Sequence, residues 1–144
     1  MLKIGEPLKA DRFSVRIYGV LRRGDEVLLT RSRFRQLEFV NFPGGGVELG
    51  EAPIESLRRE FHEETGLAIH PVRVLYANES AHPSSAQPIQ IVSIYWLVES
   101  LGGEPKKGSD GEVVDLFWSD YREVSTAEMF PADAEFVAKL PSLL

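Results

Sequence analysis

The chain has 144 residues, 43% of them hydrophobic, and no cysteine. That length and apolar content suffice for one ordinary core and exclude a disordered chain, and the lack of thiols excludes a disulfide framework and a thiolate metal site. A formal net charge of −6 disfavours binding to a nucleic-acid backbone, and no apolar run approaches a membrane span; the expectation is a single domain over 1–144, cytoplasmic, with neither a nucleic-acid polymer nor a membrane as partner.

Residues 1–11 read as a short leader or edge segment. Residues 13–22 alternate in part and are rich in β-formers, Arg23, Gly24 and Asp25 mark a turn, and residues 26–30 resume a β pattern, so a hairpin is expected. Arg31, Arg33 and Arg35 follow at a spacing of two, which in an extended chain puts three guanidiniums on one face. Such a face suits a phosphate clamp, because arginine pairs phosphate oxygens bidentately; a solvated rim is the alternative that the spacing leaves open.

A glycine-rich turn at Gly44, Gly45 and Gly46 leads to a helix. Pro53 suits its first position, Ile54, Leu57 and Phe61 supply an apolar stripe, and Gly66 is placed to stop it in a left-handed conformation. Residues 72–76 and 89–98 then read as strands, the second long and largely buried, with a polar loop at 78–88 as the expected place for substrate choice. A turn-rich connection at 101–111 enters a strand at 113–118. Glu112 stands at its mouth with Asp110 as its rival, and a solvated loop carboxylate is the other reading of both. A turn at 119–124 and a helix at 131–140, with Phe136, Val137 and Leu140 inward, complete the chain. His62, His70 and His82 have no metal-binding spacing, and Ser56 and Ser84 lack the histidine and acid of a serine hydrolase.

The chemistry concentrates on the first helix. At about 100° per residue, Glu60, Glu63 and Glu64 fall within roughly a 100° arc beside the apolar stripe. Two unit charges about 4 Å apart repel by about 4 kcal/mol at an effective dielectric of about 20, so three clustered carboxylates need a cation. Hard, oxygen-liking Mg²⁺ or Mn²⁺ is the natural partner. The competing reading is a salt-bridged surface with Glu55 to Arg59 and Arg59 to Glu63 four residues apart, pairs worth only a few tenths of a kcal/mol (about 0.2–0.5). It leaves unexplained why the carboxylates crowd directly after three glycines, where backbone can approach an ion or a phosphate closely.

Gly45, five residues, Glu51, seven residues and then Arg59-Glu60-Phe61-His62-Glu63-Glu64-Thr65-Gly66-Leu67 resembles the Nudix box, the signature of the Nudix hydrolase superfamily. Phe61 stands where the family usually has an aliphatic residue, and Ala52 where many members have a Ser or Thr cap, a loss of about 1 kcal/mol. Glu55 is placed to reach back to the Ala52 amide.

The resemblance implies an α+β chain of Nudix fold, an α/β/α sandwich with a mixed β-sheet core. It implies a metal-dependent pyrophosphohydrolase that cleaves a nucleoside diphosphate linked to another moiety, such as a nucleoside triphosphate or ADP-ribose. It assigns Glu60 and Glu64 as principal ligands of Mg²⁺ or Mn²⁺, helped by the Gly45 carbonyl and Glu51. Glu63 is ligand or general base, Arg59 orients a glutamate, and Glu112 is an outer catalytic candidate. A non-catalytic nucleotide-sensing module of the same fold is the alternative; the isopentenyl diphosphate isomerase branch needs a cysteine that is absent. The partner implied is a small nucleotide, and homodimers are common among resembling proteins.

Overall fold

The computed structural model describes residues 5–108 and 111–144. Strand β1 (Arg12–Arg23) carries Ile17 and Leu21 toward one face and Tyr18 and Val20 toward the other, all buried. A strand apolar on both faces belongs at the centre of a sheet, and the others are laid around it. They are β2 (Glu26–Phe34), β3 (Leu37–Asn41) and β4 (Gly44–Gly46), then helix α1 (Pro53–Thr65), β5 (Ile69–Ala77), β6 (His82–Pro83), β7 (Ile89–Ser100), β8 (Val113–Asp120) and helix α2 (Pro131–Leu143).

The expected hairpin turns at Gly24, whose φ is 61°, but only the ends of its strands pair: Arg22 with Val27 and Arg23 with Glu26. Beyond the turn β1 and β2 take different partners. From Arg12 to Leu21, β1 runs parallel to β7, and it pairs antiparallel with β4 on its other edge. Strand β2 lies between β3 and β8, both antiparallel, and β7 carries β5 and β6. The sheet is therefore mixed, in the order β3-β2-β1-β7-β5.

One helix covers each face. Leu57 and Phe61 of α1 pack on Ile17, Leu21, Leu28 and Val98, while Phe136, Val137 and Leu140 of α2 pack on Tyr18, Val20, Leu29, Phe42 and Tyr95. The Tyr95 and Phe136 rings stack with centroids 4.0 Å apart. Burying a Leu or Phe side chain stabilises by about 1.5–3 kcal/mol. Leu57 and Phe61, not the surface ion pairs, hold α1 in place. The result is the α/β/α sandwich with a mixed sheet that the resemblance implied.

The ends of α1 follow the sequence in part. Gly66 stops it with φ 74°, its amide donating to the His62 carbonyl. No side-chain hydrogen bond caps Ala52, so the reach of Glu55 is not used, and Pro53 starts the helix unaided. The aromatic departure at Phe61 has a counterpart on β1. Phe61 is fully buried, and a Cβ on Gly19 would lie 2.8 Å from its ring. The missing side chain at 19 is the space that the ring fills.

Two acidic residues near the start of α2 behave oppositely. Asp133 is 4% exposed and accepts a 2.6 Å hydrogen bond from the Tyr95 hydroxyl. Burial pushes its carboxyl up to about 6, against the pull of Tyr95 and Arg16 toward ionisation. For Glu135 burial also opposes ionisation, but hydrogen bonds from the Glu79 amide, His82, Tyr76 and Ser80 outweigh it and hold the group well below its ordinary value.

Two outcomes are expected. Gly19→Ala should cost about 1–3 kcal/mol by overpacking, and Phe61→Leu in the same chain should recover part of that loss; additive costs in a double-mutant cycle of urea unfolding would refute the complementarity. Between about pH 5 and 6, Asp133 is ionised in the unfolded chain but keeps a proton in the folded one, so stability falls as pH rises through this window. Glu135 is ionised in both states there and adds no slope. Asp133→Asn should flatten the fall by up to about 1 kcal/mol across that unit; an unchanged slope would show that the carboxyl is not protonated on folding.

Candidate active site

The site is built on β4. The Gly19 amide donates to the Pro43 carbonyl at 2.8 Å, the Val47 amide to the Val15 carbonyl at 2.8 Å, and Tyr18 stands opposite Gly44. A Cβ on Gly44, whose φ is 148°, would lie 2.1 Å from the Ile17 carbonyl oxygen. Only glycine fits. The expected turn is thus a three-residue strand flattened against β1, because without side chains the backbone can pair there.

Helix α1 docks on this strand through polar contacts. Ser56, buried in its first turn, donates from Oγ to the Gly46 carbonyl at 3.3 Å. One turn later the Glu60 carboxyl abuts Gly45, where a Cβ would lie 2.9 Å from Cδ. Glu64, one turn further and 6% exposed, accepts a 3.0 Å hydrogen bond from the Gly44 amide. Helical spacing therefore sets Glu60 and Glu64 against neighbouring glycines.

Arg59 joins the remaining carboxylates. It grips Glu51 bidentately, Nε to Oε2 at 2.8 Å and Nη2 to Oε1 at 3.1 Å, and its Nη1 reaches Glu60 at 3.2 Å and Glu63 at 3.4 Å. The hydrogen bonds from Arg59 hold the Glu51 carboxyl below its ordinary value, and those to Glu51 push the guanidinium up. Of the two surface ion pairs expected on the helix, Arg59 with Glu63 is present; the guanidinium turns to Glu51 instead of Glu55. Glu63 is the most open of the group, its side chain 46% exposed against 18% for Glu51 and 19% for Glu60.

All five expected metal-site residues, Gly45, Glu51, Glu60, Glu63 and Glu64, thus lie at one place, with Arg59 among them. Among the described residues no three carboxylate or imidazole groups stand close enough to enclose an ion as arranged, and three of the four carboxylates are bonded to Arg59. The donor set is nevertheless the oxygen-only set that hard cations take. Glycine at 45, where a side chain would fill the cradle against Glu60, keeps a backbone carbonyl beside it. By donor type, though not by their spacing as arranged, the residues suit a hard divalent ion.

The other expected residues come from other elements. The connection before Glu112 docks on the last turn of α1, the Lys106 amide donating to the Thr65 carbonyl at 2.8 Å and the Gly108 amide to the Glu64 carbonyl at 3.2 Å. Glu112 follows at the start of β8, its carbonyl accepting the Arg33 amide at 2.7 Å; Asp110 lies outside the described residues. The arginine clamp is corrected. Arg31 and Arg33 lie in β2, but Arg35 is beyond it, with φ 58° in the turn to β3. Arg31 is bonded to Glu128 at 2.7 Å and Arg33 to Glu38 at 2.8 Å. Arg31 and Glu128 line a cavity of about 190 Å³ over Leu29, Val40 and Phe117, and no wall of it belongs to the carboxylate group. Spacing alone could not show that distant carboxylates would claim two of these cations.

Sequence reasoning also missed a polar chain beside β4. Arg16 donates from Nε to the Tyr18 hydroxyl at 2.7 Å, the Tyr18 ring stacks on Tyr95 at 5.5 Å, and Tyr95 is bonded to Asp133. Burial pushes the Tyr18 hydroxyl up to about 12. The alternation of Arg16 and Tyr18 is visible in the sequence; the partner on α2 is not.

A mixed sheet between two helices, with a glycine strand facing glutamates from one helix, defines a class that comparison identifies. A family model for the NUDIX domain matches residues 11–140, and the chain belongs to that family. It is a Nudix hydrolase, acting on phosphoanhydride bonds. It is 31% identical over 131 residues, 87% of this chain and 94% of the relative, to the 8-oxo-dGTP diphosphatase of Escherichia coli (strain K12). With the ADP-ribose pyrophosphatase of Methanocaldococcus jannaschii it shares 28% identity over 107 residues, 72% of this chain and 61% of the relative. Among solved structures, a NUDIX hydrolase from Nitrosomonas europaea superposes with a TM-score of 0.77, covering 90% of this chain and 89% of that one at 20% identity, a likeness of fold.

Gly45→Ala should push the Glu60 carboxyl aside at little cost in stability, because the contact is with the movable end of a side chain. Gly46→Ala is the control, since a Cβ there meets nothing within 4 Å. A Glu60 carboxyl ¹³C signal that moves no further in Gly45→Ala than in Gly46→Ala would refute the close approach.

Proposed function

We propose that the chain is a metal-dependent pyrophosphohydrolase whose substrate is a nucleoside diphosphate linked to another moiety, such as a nucleoside triphosphate or ADP-ribose. The observation that carries this reading is that Glu60 and Glu64 lie against the glycines of β4 while one guanidinium, Arg59, joins Glu60 to Glu51 and Glu63. The names of the relatives, an 8-oxo-dGTP diphosphatase and an ADP-ribose pyrophosphatase, support the substrate class. A net charge of −6 favours a small nucleotide over a polymer. Among the described residues no helix is long and apolar enough to cross a membrane.

Glu60 and Glu64, with the Gly45 carbonyl and Glu51, are the residues that would hold Mg²⁺ or Mn²⁺; bound there, such an ion lowers the pKa of a water and offsets charge on the departing phosphate. In the hydrolysis the water oxygen bonds to phosphorus, the bridging P–O bond breaks, and the departing phosphate keeps the electron pair. Glu63 takes the water's proton in this reading, as the carboxylate most open to solvent, and its other role is ligand. Glu64, tied to the Gly44 amide, cannot swing without losing a charge-assisted bond. Arg59 is a positioning residue that fixes Glu51, Glu60 and Glu63 relative to one another. Glu112 is the outer candidate, carried by a connection hydrogen-bonded to the same helix.

The test is to incubate the protein with Mg²⁺ and a panel of nucleoside triphosphates, ADP-ribose, dinucleoside polyphosphates and nucleotide sugars, and to identify the products. Cleavage of one compound is expected, reduced roughly 10²- to 10⁴-fold in Glu63→Gln and Glu64→Gln at unchanged melting temperature. Near wild-type turnover in both variants would sink the residue assignment. Nucleotide binding without cleavage of any compound would point to a sensing module instead.

A further inference from the structure

We propose that Arg16 is the guanidinium that receives phosphate oxygens of the substrate's diphosphate, a specificity-determining contact provided by β1 rather than by the arginines of β2. The inference rests on the pyrophosphohydrolase reading for its substrate, and on three independent features for the residue.

The first is place. Arg16, Ile17 and Tyr18 stand opposite Gly46, Gly45 and Gly44 in the pairing of β1 with β4. Paired backbones lie about 5 Å apart, so Arg16 is rooted one strand away from the glycines that Glu60 and Glu64 touch. The Arg16 side chain lies on the Tyr18 face of β1, opposite the Ile17 face that α1 covers, so a diphosphate engaged at those carboxylates meets it by extending across β4.

The second is orientation. Arg16 is half-buried, and its Nε is spent on the Tyr18 hydroxyl at 2.7 Å. Tyr18 is itself 4% exposed and stacked on Tyr95, whose hydroxyl is bonded to Asp133. One edge of the guanidinium is thereby anchored to a buried, rigid stack. Among the described residues no carboxylate lies within ion-pair distance of Arg16 and its terminal nitrogens make no hydrogen bond. That leaves the two-pronged edge that matches an oxyanion presenting two oxygens.

The third is contrast. Arg31, Arg33 and Arg59 are each bonded to carboxylates, so an incoming phosphate would have to displace a protein partner to use them. At Arg16, among the described residues, it has no carboxylate to displace. The neighbouring Tyr18, with Asp133 and Glu60 further away, favours the charged form of Arg16 against its partial burial.

The experiment is isothermal calorimetry of inorganic pyrophosphate, in Mg²⁺, with wild type, Arg16→Gln and Arg16→Lys, followed by steady-state kinetics on whichever compound of the panel is cleaved. Pyrophosphate affinity is expected to fall about 10-fold or more in Arg16→Gln and to recover in part in Arg16→Lys. KM should rise by about 10- to 100-fold with kcat within about 3-fold, the pattern of lost uniform binding. Equal affinity in wild type and Arg16→Gln overturns the inference, as does a wild type that fails to bind pyrophosphate at millimolar concentration. Should Arg16→Gln fail to fold, the ¹⁵N signals of the Arg16 guanidinium in wild type decide: a shift at saturating pyrophosphate supports the contact and an unmoved signal overturns it. The two readings fail separately. A chain that hydrolyses the panel with an unchanged KM in Arg16→Gln loses Arg16 alone, and one that binds pyrophosphate through Arg16 but cleaves nothing loses the hydrolase mechanism alone.

Discussion

The structure depends on the closeness of two glycines, Gly44 to the strand behind it and Gly45 to the helix in front. At Gly44 the Ile17 carbonyl oxygen occupies the space of a Cβ, and at Gly45 the Glu60 carboxyl does. A methyl group at Gly44 would push β4 off the backbone of β1, and one at Gly45 would push the Glu60 carboxyl aside. The Glu64 bond to the Gly44 amide would go first, and the carboxylates would then lose the backbone that brings them together. The apolar faces of β1 and the burial of Leu57 and Phe61 supply the energy that holds this approach closed.

Around that approach the charges are unevenly matched. Three carboxylates, Glu51, Glu60 and Glu63, share Arg59, whose side chain is 37% exposed, and ion pairs open to water are worth about 0–1 kcal/mol each. The guanidinium therefore organises the group without binding it rigidly. That is the condition a site needs if a more concentrated positive charge is to take over its carboxylates, as the proposed function requires. On β2, Arg31 and Arg33 are each paired with a carboxylate and serve as links to the segment before α2 and to β3.

Much of this was legible because it is local. Pro53, the stripe of Leu57 and Phe61, and Gly66 bound the helix within one residue of what is observed, since helical periodicity and caps act over a few residues. The long strand at β7 and the inward face of α2 were equally plain. The crowding of Glu60, Glu63 and Glu64 on one side of α1 followed from helical spacing, whereas Glu51 entered only through the resemblance. What stayed hidden depends on distant pairing. The parallel partnership of β1 with β7 has no local mark, the glycine strand reads as a turn until β1 is placed beside it, and the face of three arginines dissolves because Glu128 and Glu38 lie near and Arg35 has turned out of line. Gly19 explains Phe61 only when both are seen together.

The segment between β5 and β7 has a further property. Glu135 of α2 takes hydrogen bonds from the Tyr76 hydroxyl at 2.8 Å, the Glu79 amide at 2.8 Å and the Ser80 amide at 3.1 Å, with Asn78 Nδ2 at 3.3 Å and His82 Nε2 at 2.9 Å. A loop in this position would ordinarily keep much of its conformational freedom, at about 1–2 kcal/mol per residue to be lost on ordering. Here one carboxylate has already absorbed that loss as part of folding. Any molecule that touches residues 78–82 meets a surface shaped in advance, so discrimination there rests on fit to a preformed outline and not on the loop's willingness to close.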